Sequence, residues 1–66
     1  MKILINDDEI QFSGNTLDEL LTENGFINNS GIAVAVNETV IARKDWEAYS
    51  LKEGDSILII TLSQGG

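Results

Sequence analysis

The residues best suited to chemistry are the last two of the sequence, Gly65 and Gly66. Glycine has no Cβ, so an extended Gly-Gly end fits a narrow slot in which any side chain would collide with the walls. We expect such an end to present its carboxylate to another protein. The 66 residues include no Cys and no His. Thiol nucleophiles, Cys/His zinc sites, Ser-His-Asp triads and imidazole acid-base catalysis are therefore excluded.

The remaining ionisable side chains are scattered along the sequence and do not form a catalytic motif. A domain this small is not expected to contain a catalytic cleft, so we expect the protein not to be an enzyme. The acidic run Asp7-Asp8-Glu9 could in principle chelate a hard cation, but three consecutive acids cannot converge on one ion without other ligands. We interpret this run as a solvated turn.

Charge and length restrict the possible partners and the architecture. Four Lys/Arg against eleven Asp/Glu give a net charge of −7, which repels nucleic acids and anionic membranes. The acidity favours docking on basic protein surfaces, although solubility alone explains it equally well. We expect one domain that is a monomer when free. We also expect a cytoplasmic location, because no apolar run is long enough to span a membrane and no leader-like segment follows Met1.

The first half of the sequence predicts a hairpin followed by a helix. Residues 1–6 are rich in Ile and Leu and lead into turn formers, and a second short strand is predicted at 10–12. Thr16-x-x-Glu19 has the form of a capping box, so a helix should start there, with Gly25 at its C-terminal end. Three leucines spaced for one face of this helix should enter the core: Leu17, Leu20 and Leu21.

The second half predicts two strands, an irregular or short helical link, and a last strand: 32–36, 39–41, 43–51 and 56–62. Asn37-Glu38 is a plausible tight turn between the first two of these strands. Trp46 and Tyr49, in the link, are interpreted as satellite core residues that cover the edge of the sheet.

The last strand is apolar on both of its faces, from Ile57 to Ile60. Such a strand is either buried on both sides or has one face on the core and the other awaiting a partner. A single helix covers only one face of a sheet, which favours the second alternative. We assign Leu58, Ile60 and Leu62 to a partner-docking surface and Ile57 and Ile59 to the core. A register shift of one residue would exchange the two sets.

The order of elements suggests an α+β fold in which one main helix packs across a mixed sheet and the last strand lies beside the first. Motifs from end to end carry a family resemblance: MKILIN at the start, Thr16-x-x-Glu19-Leu20-Leu21, Val34-Ala35-Val36-Asn37, Ile41-x-Arg43-x-x-Trp46, Leu51-x-x-Gly54-Asp55-x-Ile57 and Gly65-Gly66. With these motifs, the chain resembles the ubiquitin-like β-grasp sulfur carriers, and among them the ThiS family of thiamine biosynthesis.

The resemblance implies a β-grasp domain over residues 1–62 and a flexible tail over 63–66. It implies that a ThiF-like enzyme uses ATP and Mg²⁺ to adenylate the Gly66 carboxylate. Sulfur from a donor protein then displaces AMP, and the resulting thiocarboxylate supplies a ThiG-like thiazole synthase. In this scheme Gly66 carries the sulfur, Gly65 gives access to partner active sites, and the chain itself binds no cofactor or metal.

Three alternatives remain open from the sequence. The small subunit of molybdopterin synthase shares the Gly-Asp turn and the diglycine, but typically has a proline just before the diglycine, and residues 61–64 contain none. A ubiquitin-like modifier would join Gly66 to lysines of target proteins. A non-catalytic interaction domain would use the sheet for binding and leave the tail inert.

Overall fold

The computed structural model describes residues 1–26 and 31–61. Leu62 and the predicted tail at 63–66 lie outside the described residues. The order of elements agrees with the sequence prediction. The elements are β1 (Lys2–Ile5), β2 (Asp8–Gln11), α1 (Leu17–Glu23), β3 (Ile32–Val36), β4 (Thr39–Val40), a 3-10 helix (Arg43–Ala48) and β5 (Ser56–Thr61).

The described strands form a five-stranded sheet in the order β2-β1-β5-β3-β4. β5 lies at its centre, parallel to β1 and antiparallel to β3. The predicted placement of the last strand beside the first is therefore confirmed. Because β5 has a neighbour on each side, the strand that leads toward the end of the sequence is held in the middle of the sheet.

The N-terminal end of α1 is a complete capping box. The Glu19 N–H donates to Thr16 Oγ1 at 3.2 Å, and Glu19 Oε1 accepts from the N–H groups of Thr16 at 3.0 Å and Asn15 at 2.7 Å. The backbone bonds from Asn15 and Thr16 lower the pKa of the Glu19 carboxyl below its ordinary value. A seven-residue helix is marginal by itself, so these bonds define where it starts.

The C-terminal end of α1 is a Schellman motif. Gly25 has φ of +83°, which glycine adopts without steric cost. The Phe26 N–H donates to the Leu21 carbonyl at 2.8 Å, and the Gly25 N–H donates to the Thr22 carbonyl at 3.2 Å. Phe26 is partly buried and packs against the core cluster. Neither α1 nor the 3-10 helix, the helices of the described residues, is long and apolar enough to span a membrane.

The core lies between one face of the sheet and the two helices. Trp46 is a member of the main core cluster and is almost fully buried, so its interpretation as satellite core was wrong; Tyr49 is partly buried against the same cluster. The indole can be buried because its Nε1–H donates to the Ile41 carbonyl at 3.0 Å. The buried hydrophobic residues of the cluster are Ile3, Ile5, Phe12, Leu17, Leu20, Leu21, Ile32, Val34, Val36, Trp46, Leu51, Ile57 and Ile59.

Both hairpins turn through two residues with positive φ. Asn6 and Asp7 have φ of 50° and 73°, and Asn37 and Glu38 repeat these values. This is the pattern of type I′ turns, whose twist matches that of paired strands. The short first turn lets β2 begin at Asp8, two residues earlier than predicted.

The acidic run after β1 is consequently divided between a turn and a strand. Asp7 lies in the turn, whereas Asp8 and Glu9 are paired in β2, where successive side chains point to opposite faces of the sheet. Among the described residues, no group of three or more acidic side chains could hold a metal ion.

Candidate docking face

The two faces of β5 differ sharply in exposure. Ile57 and Ile59 are 1% and 7% exposed, whereas Leu58 and Ile60 are 49% and 48% exposed. This is the register predicted from the sequence, in which Leu58 and Ile60 point away from the core. The cause is that the described helices cover only one side of the sheet. Leu62, the third predicted docking residue, falls outside the described residues.

Neighbouring strands extend this exposed apolar strip into a surface, which we call the open face. Leu58 lies opposite Ala35 of β3, and Ala35 lies opposite Val40 of β4. Two residues further along β5, Ile60 lies opposite Ala33 on the same face of the sheet. Ala35, which is 8% exposed, lies between the larger side chains of Leu58 and Val40. The open face therefore consists of Ala33, Ala35, Val40, Leu58 and Ile60.

Val40 is the residue of the open face that the sequence analysis missed. It is 72% exposed, the highest value among the large hydrophobic side chains that the described residues expose. A local signal could have revealed it: a two-residue turn at Asn37-Glu38 pairs Val36 with Thr39 and Ala35 with Val40. Since paired residues share a face, Val40 had to lie on the same side as Ala35.

The large apolar side chains that the described residues expose are clustered. Scattered surface hydrophobics are ordinary, but a contiguous apolar patch is typical of an interaction site. All three large hydrophobic side chains that are exposed within the described residues belong to the open face: Val40, Leu58 and Ile60.

Acidic residues border one end of the open face. Asp7 and Glu38, from the two hairpin turns, line a shallow hollow together with Ser56 and Leu58. The two turns bring together acids that are far apart in the sequence because both flank the beginning of β5. An apolar centre with an acidic border is complementary to a partner whose apolar anchor is surrounded by basic side chains.

The beginning of β5 is anchored by a buried carboxylate. Asp55 accepts the side-chain Nδ2–H of Asn37 at 2.9 Å and the backbone N–H of Lys52 at 2.8 Å. Asn37 Oδ1 in turn accepts the Ser56 N–H at 3.0 Å. Hydrogen bonds of this kind allow an acidic group to be buried without loss of stability. The Gly54-Asp55 turn thus determines where β5 starts.

A second asparagine side chain holds β5 further along. Asn6 Oδ1 accepts the Ile59 N–H at 2.8 Å, and Asn6 Nδ2 donates to the Ile59 carbonyl at 3.3 Å. Asn6 lies at the end of the first predicted strand, and no contact to the last strand was predicted for it. No local pattern reveals this contact, because the two residues are 53 positions apart.

Comparison with known proteins agrees with this geometry. The family model described as the ThiS family matches residues 3–66. The chain belongs to the ThiS family. The sulfur carrier protein ThiS of Escherichia coli (strain K12) is 36% identical over 67 residues, and the alignment covers all of both chains.

Solved structures confirm the β-grasp fold of this ThiS-family chain. A crystal structure of ThiS from Geobacter metallireducens has a TM-score of 0.85 at 23% identity, with all of each chain covered. An NMR solution structure of a thiamine biosynthesis protein from the same organism has a TM-score of 0.76 at 23% identity. That match covers all of this chain and 88% of the other. The chain is accordingly a sulfur carrier of the ThiS type in thiamine biosynthesis, and proteins of this family work with partner enzymes in sulfur transfer.

Proposed function

We propose that the Gly66 carboxylate is the group that carries the sulfur. A carboxylate is a poor electrophile until one of its oxygens becomes part of a good leaving group. A Gly66 oxygen attacks the α-phosphorus of ATP, which forms an acyl-adenylate and releases pyrophosphate. A persulfide then attacks the Gly66 carbonyl carbon and AMP leaves. A thiol cleaves the remaining S–S bond by disulfide exchange, which frees the Gly66 thiocarboxylate.

The observation that carries this proposal is the position of the open face on β5. Leu58 and Ile60 are exposed on this strand, and only five residues follow Thr61 before the sequence ends at Gly66. A partner that docks on the open face therefore has its active site within reach of the terminal carboxylate. Support also comes from the family match, which extends to Gly66, and from the absence of Cys and His in the sequence.

We assign each step to a partner of this chain. A ThiF-like enzyme supplies the ATP and Mg²⁺ site, a sulfur donor protein supplies the persulfide, and a ThiG-like thiazole synthase consumes the thiocarboxylate. The chain itself catalyses no step and binds no cofactor. It works in the cytoplasm, where ATP is available, and is a monomer between encounters.

Docking and delivery involve different residues in this proposal. Leu58, Ile60 and Val40 provide the apolar contact, and Leu62 is assigned to the same contact from the alternation of the sequence. Gly65 lets the end of the chain pass through a narrow opening because it has no side chain. The acidic border at Asp7 and Glu38 pairs with basic groups of the partner.

The test is the intact mass of the protein after incubation with a ThiF-like enzyme, Mg-ATP and a persulfide donor. We expect a mass gain equal to the replacement of one oxygen by sulfur. A variant that lacks Gly65 and Gly66 is the control and should show no gain. An unchanged mass for the full chain, when the same enzyme loads another carrier, would contradict the proposal. Recovery of Gly66 joined to lysines would instead indicate a protein modifier.

A further inference from the structure

We propose that Asn6 is a positioning residue that determines the direction in which the chain leaves β5. This inference rests on the proposed function, since it concerns the delivery of the Gly66 carboxylate. It goes beyond that function by assigning a role to a side chain that lies outside both the open face and the tail.

The Asn6 side chain continues the pairing of β1 with β5 after β1 has ended. The paired residues of β1 stop at Ile5, which lies opposite Ile57. The backbone N–H of Asn6 still donates to the Ile57 carbonyl at 2.9 Å, and the chain then turns away through Asp7. From this turn, the Asn6 amide reaches Ile59 and makes both an accepting and a donating bond to its backbone.

The carboxamide therefore replaces a backbone peptide group of one further strand residue. An amide has a carbonyl acceptor and an N–H donor in one plane, as a peptide does, so it can satisfy both backbone groups of Ile59. On the opposite side, β3 pairs with β5 as far as Thr61. Asn6 thus gives β5 a second lateral support two residues before its end.

The end of β5 is the point from which the terminal carboxylate is presented. The five residues after Thr61 can reach at most about 17 Å. A partner docked on the open face therefore receives the carboxylate only when β5 is held in place up to its end. Loss of a contact that holds β5 is costly in a reaction that requires the reacting atoms to be about 3–3.5 Å apart.

The chain offers a matched control for Asn6 in Asn37. Both occupy the first position of a type I′ turn with φ of 50°. Both donate a backbone N–H to β5, Asn6 to Ile57 and Asn37 to Ser56, and both use the side chain to bind a β5 backbone group. The difference is the place of that bond, since Asn37 holds the first residue of β5 and Asn6 holds Ile59.

The experiment compares Asn6→Gly with Asn37→Gly. Glycine keeps the turn conformation and the backbone N–H bond, so each substitution removes only the side-chain amide. Asn37→Gly also removes the hydrogen bond that the Asn37 amide donates to buried Asp55. This control should therefore be at least as destabilised as Asn6→Gly. A loss of activity that came only from lower stability would therefore appear in both variants.

The readout is the steady-state rate of thiocarboxylate formation by the ThiF-like enzyme. For Asn6→Gly we expect kcat to fall about three- to tenfold, because fewer bound complexes place the carboxylate correctly. KM should stay within about twofold, because the open face is unchanged. Asn37→Gly should keep the kcat of the natural chain. Asn6→Asp, which keeps the acceptor for Ile59 and loses the donor, should give an intermediate kcat.

Amide hydrogen exchange provides an independent readout of the contact itself. The Ile59 N–H should exchange about tenfold faster in Asn6→Gly than in Asn37→Gly. Equal kcat in the two variants, or a change confined to KM, would overturn the positioning role. If the natural chain is not loaded at all, the proposed function is contradicted instead, and the two failures are thereby distinguished.

Discussion

At the scale of single residues, the two hairpin turns place side chains in a backbone region that favours glycine. Asn37 is of a residue type that tolerates positive φ, whereas Glu38, at φ of 73°, is not. Asn6 and Asp7 repeat these φ values, but Asp7 is of a residue type that tolerates positive φ better than Glu does. These turns are therefore made by residues that are less suited to them than Asn-Gly would be.

Glu38→Gly should accordingly stabilise the protein. We expect the free energy of unfolding to rise by about 0.5–1 kcal/mol, because relief of the strained φ exceeds the entropic cost of glycine. The measurement is urea unfolding followed by the fluorescence of buried Trp46. Glu9→Gly, in strand β2, is the control and should be destabilising. A lower urea midpoint for Glu38→Gly would contradict the expectation.

The capping carboxylate Glu19 should make stability depend on pH. Its pKa in the folded state is lowered from the ordinary value of 4.5 by the backbone bonds from Asn15 and Thr16. The folded state therefore favours the ionised form, and this stabilisation is fully present above pH 4.5 and is lost as the pH falls through the lowered pKa.

We expect Glu19→Gln to lose less stability than the natural chain on acidification. Gln keeps an oxygen acceptor but has no charge to lose. Urea midpoints measured at neutral pH and below the folded pKa of Glu19 would give the comparison. Glu23→Gln, on the same helix, controls for the change in net charge. If the urea midpoint falls by the same amount on acidification in the natural chain and in Glu19→Gln, the capping carboxylate is not the cause of the pH dependence.

At the scale of elements, the link between β2 and α1 depends on close packing at Gly14. A Cβ at this position would lie 2.6 Å from Phe12 Cζ and 2.9 Å from Phe12 Cε1. The Phe12 ring is buried in the core and cannot move aside freely. The lack of a side chain at Gly14 is thus what lets the chain cross over Phe12 and enter the helix cap.

Gly14→Ala should destabilise the protein by about 1–3 kcal/mol, which is typical of overpacking against a core side chain. Ser13→Ala, at the exposed neighbouring position, should stay within about 0.5 kcal/mol of the natural chain. Thermal or urea unfolding of the two variants tests this. An unchanged stability of Gly14→Ala would show that the Phe12 ring relaxes at little cost.

The elements also differ in how well the sequence revealed them. The capping box and Gly25 predict both ends of α1, because each end depends on contacts between residues only a few positions apart. The start of β2 was predicted two residues too late, because the whole acidic run at 7–9 was interpreted as a turn. The two-residue geometry of the actual turn depends on pairing between the strands.

At the scale of the whole molecule, the open face should bind partners through side chains that contribute little to the fold. Val40 makes a clean test because it is exposed and lies on an edge strand, beside Ala35 on the open face. Its neighbour Thr39 is also exposed and points to the other side of the same strand.

Val40→Asp should raise the Kd for the ThiF-like enzyme about tenfold, because a charge would be buried in an apolar contact. Thr39→Asp introduces the same charge and the same loss of strand propensity outside the open face, and should leave the Kd nearly unchanged. Calorimetric titration of both variants provides the comparison. Equal weakening would mean that net charge, and not the open face, determines binding.

The sequence alone determined the features that depend on local chemistry or on simple alternation. These are the limits of α1, the division of β5 into two alternating sets of side chains, the order of the elements and the diglycine end. Each follows from side chain to backbone contacts within a few residues, or from the strand period of two. The α+β class follows from the order of the elements, because one helix can cover only one face of the sheet.

Only the tertiary structure decided which distant residues meet. It placed Val40 and Leu58 on either side of Ala35 on the open face, made Trp46 a member of the main core cluster, and joined Asn6 to Ile59. These contacts depend on which strands become neighbours and in what register, and that choice is made by the packing of the whole core. Such pairings cannot be inferred from a sequence pattern when the partners are tens of residues apart.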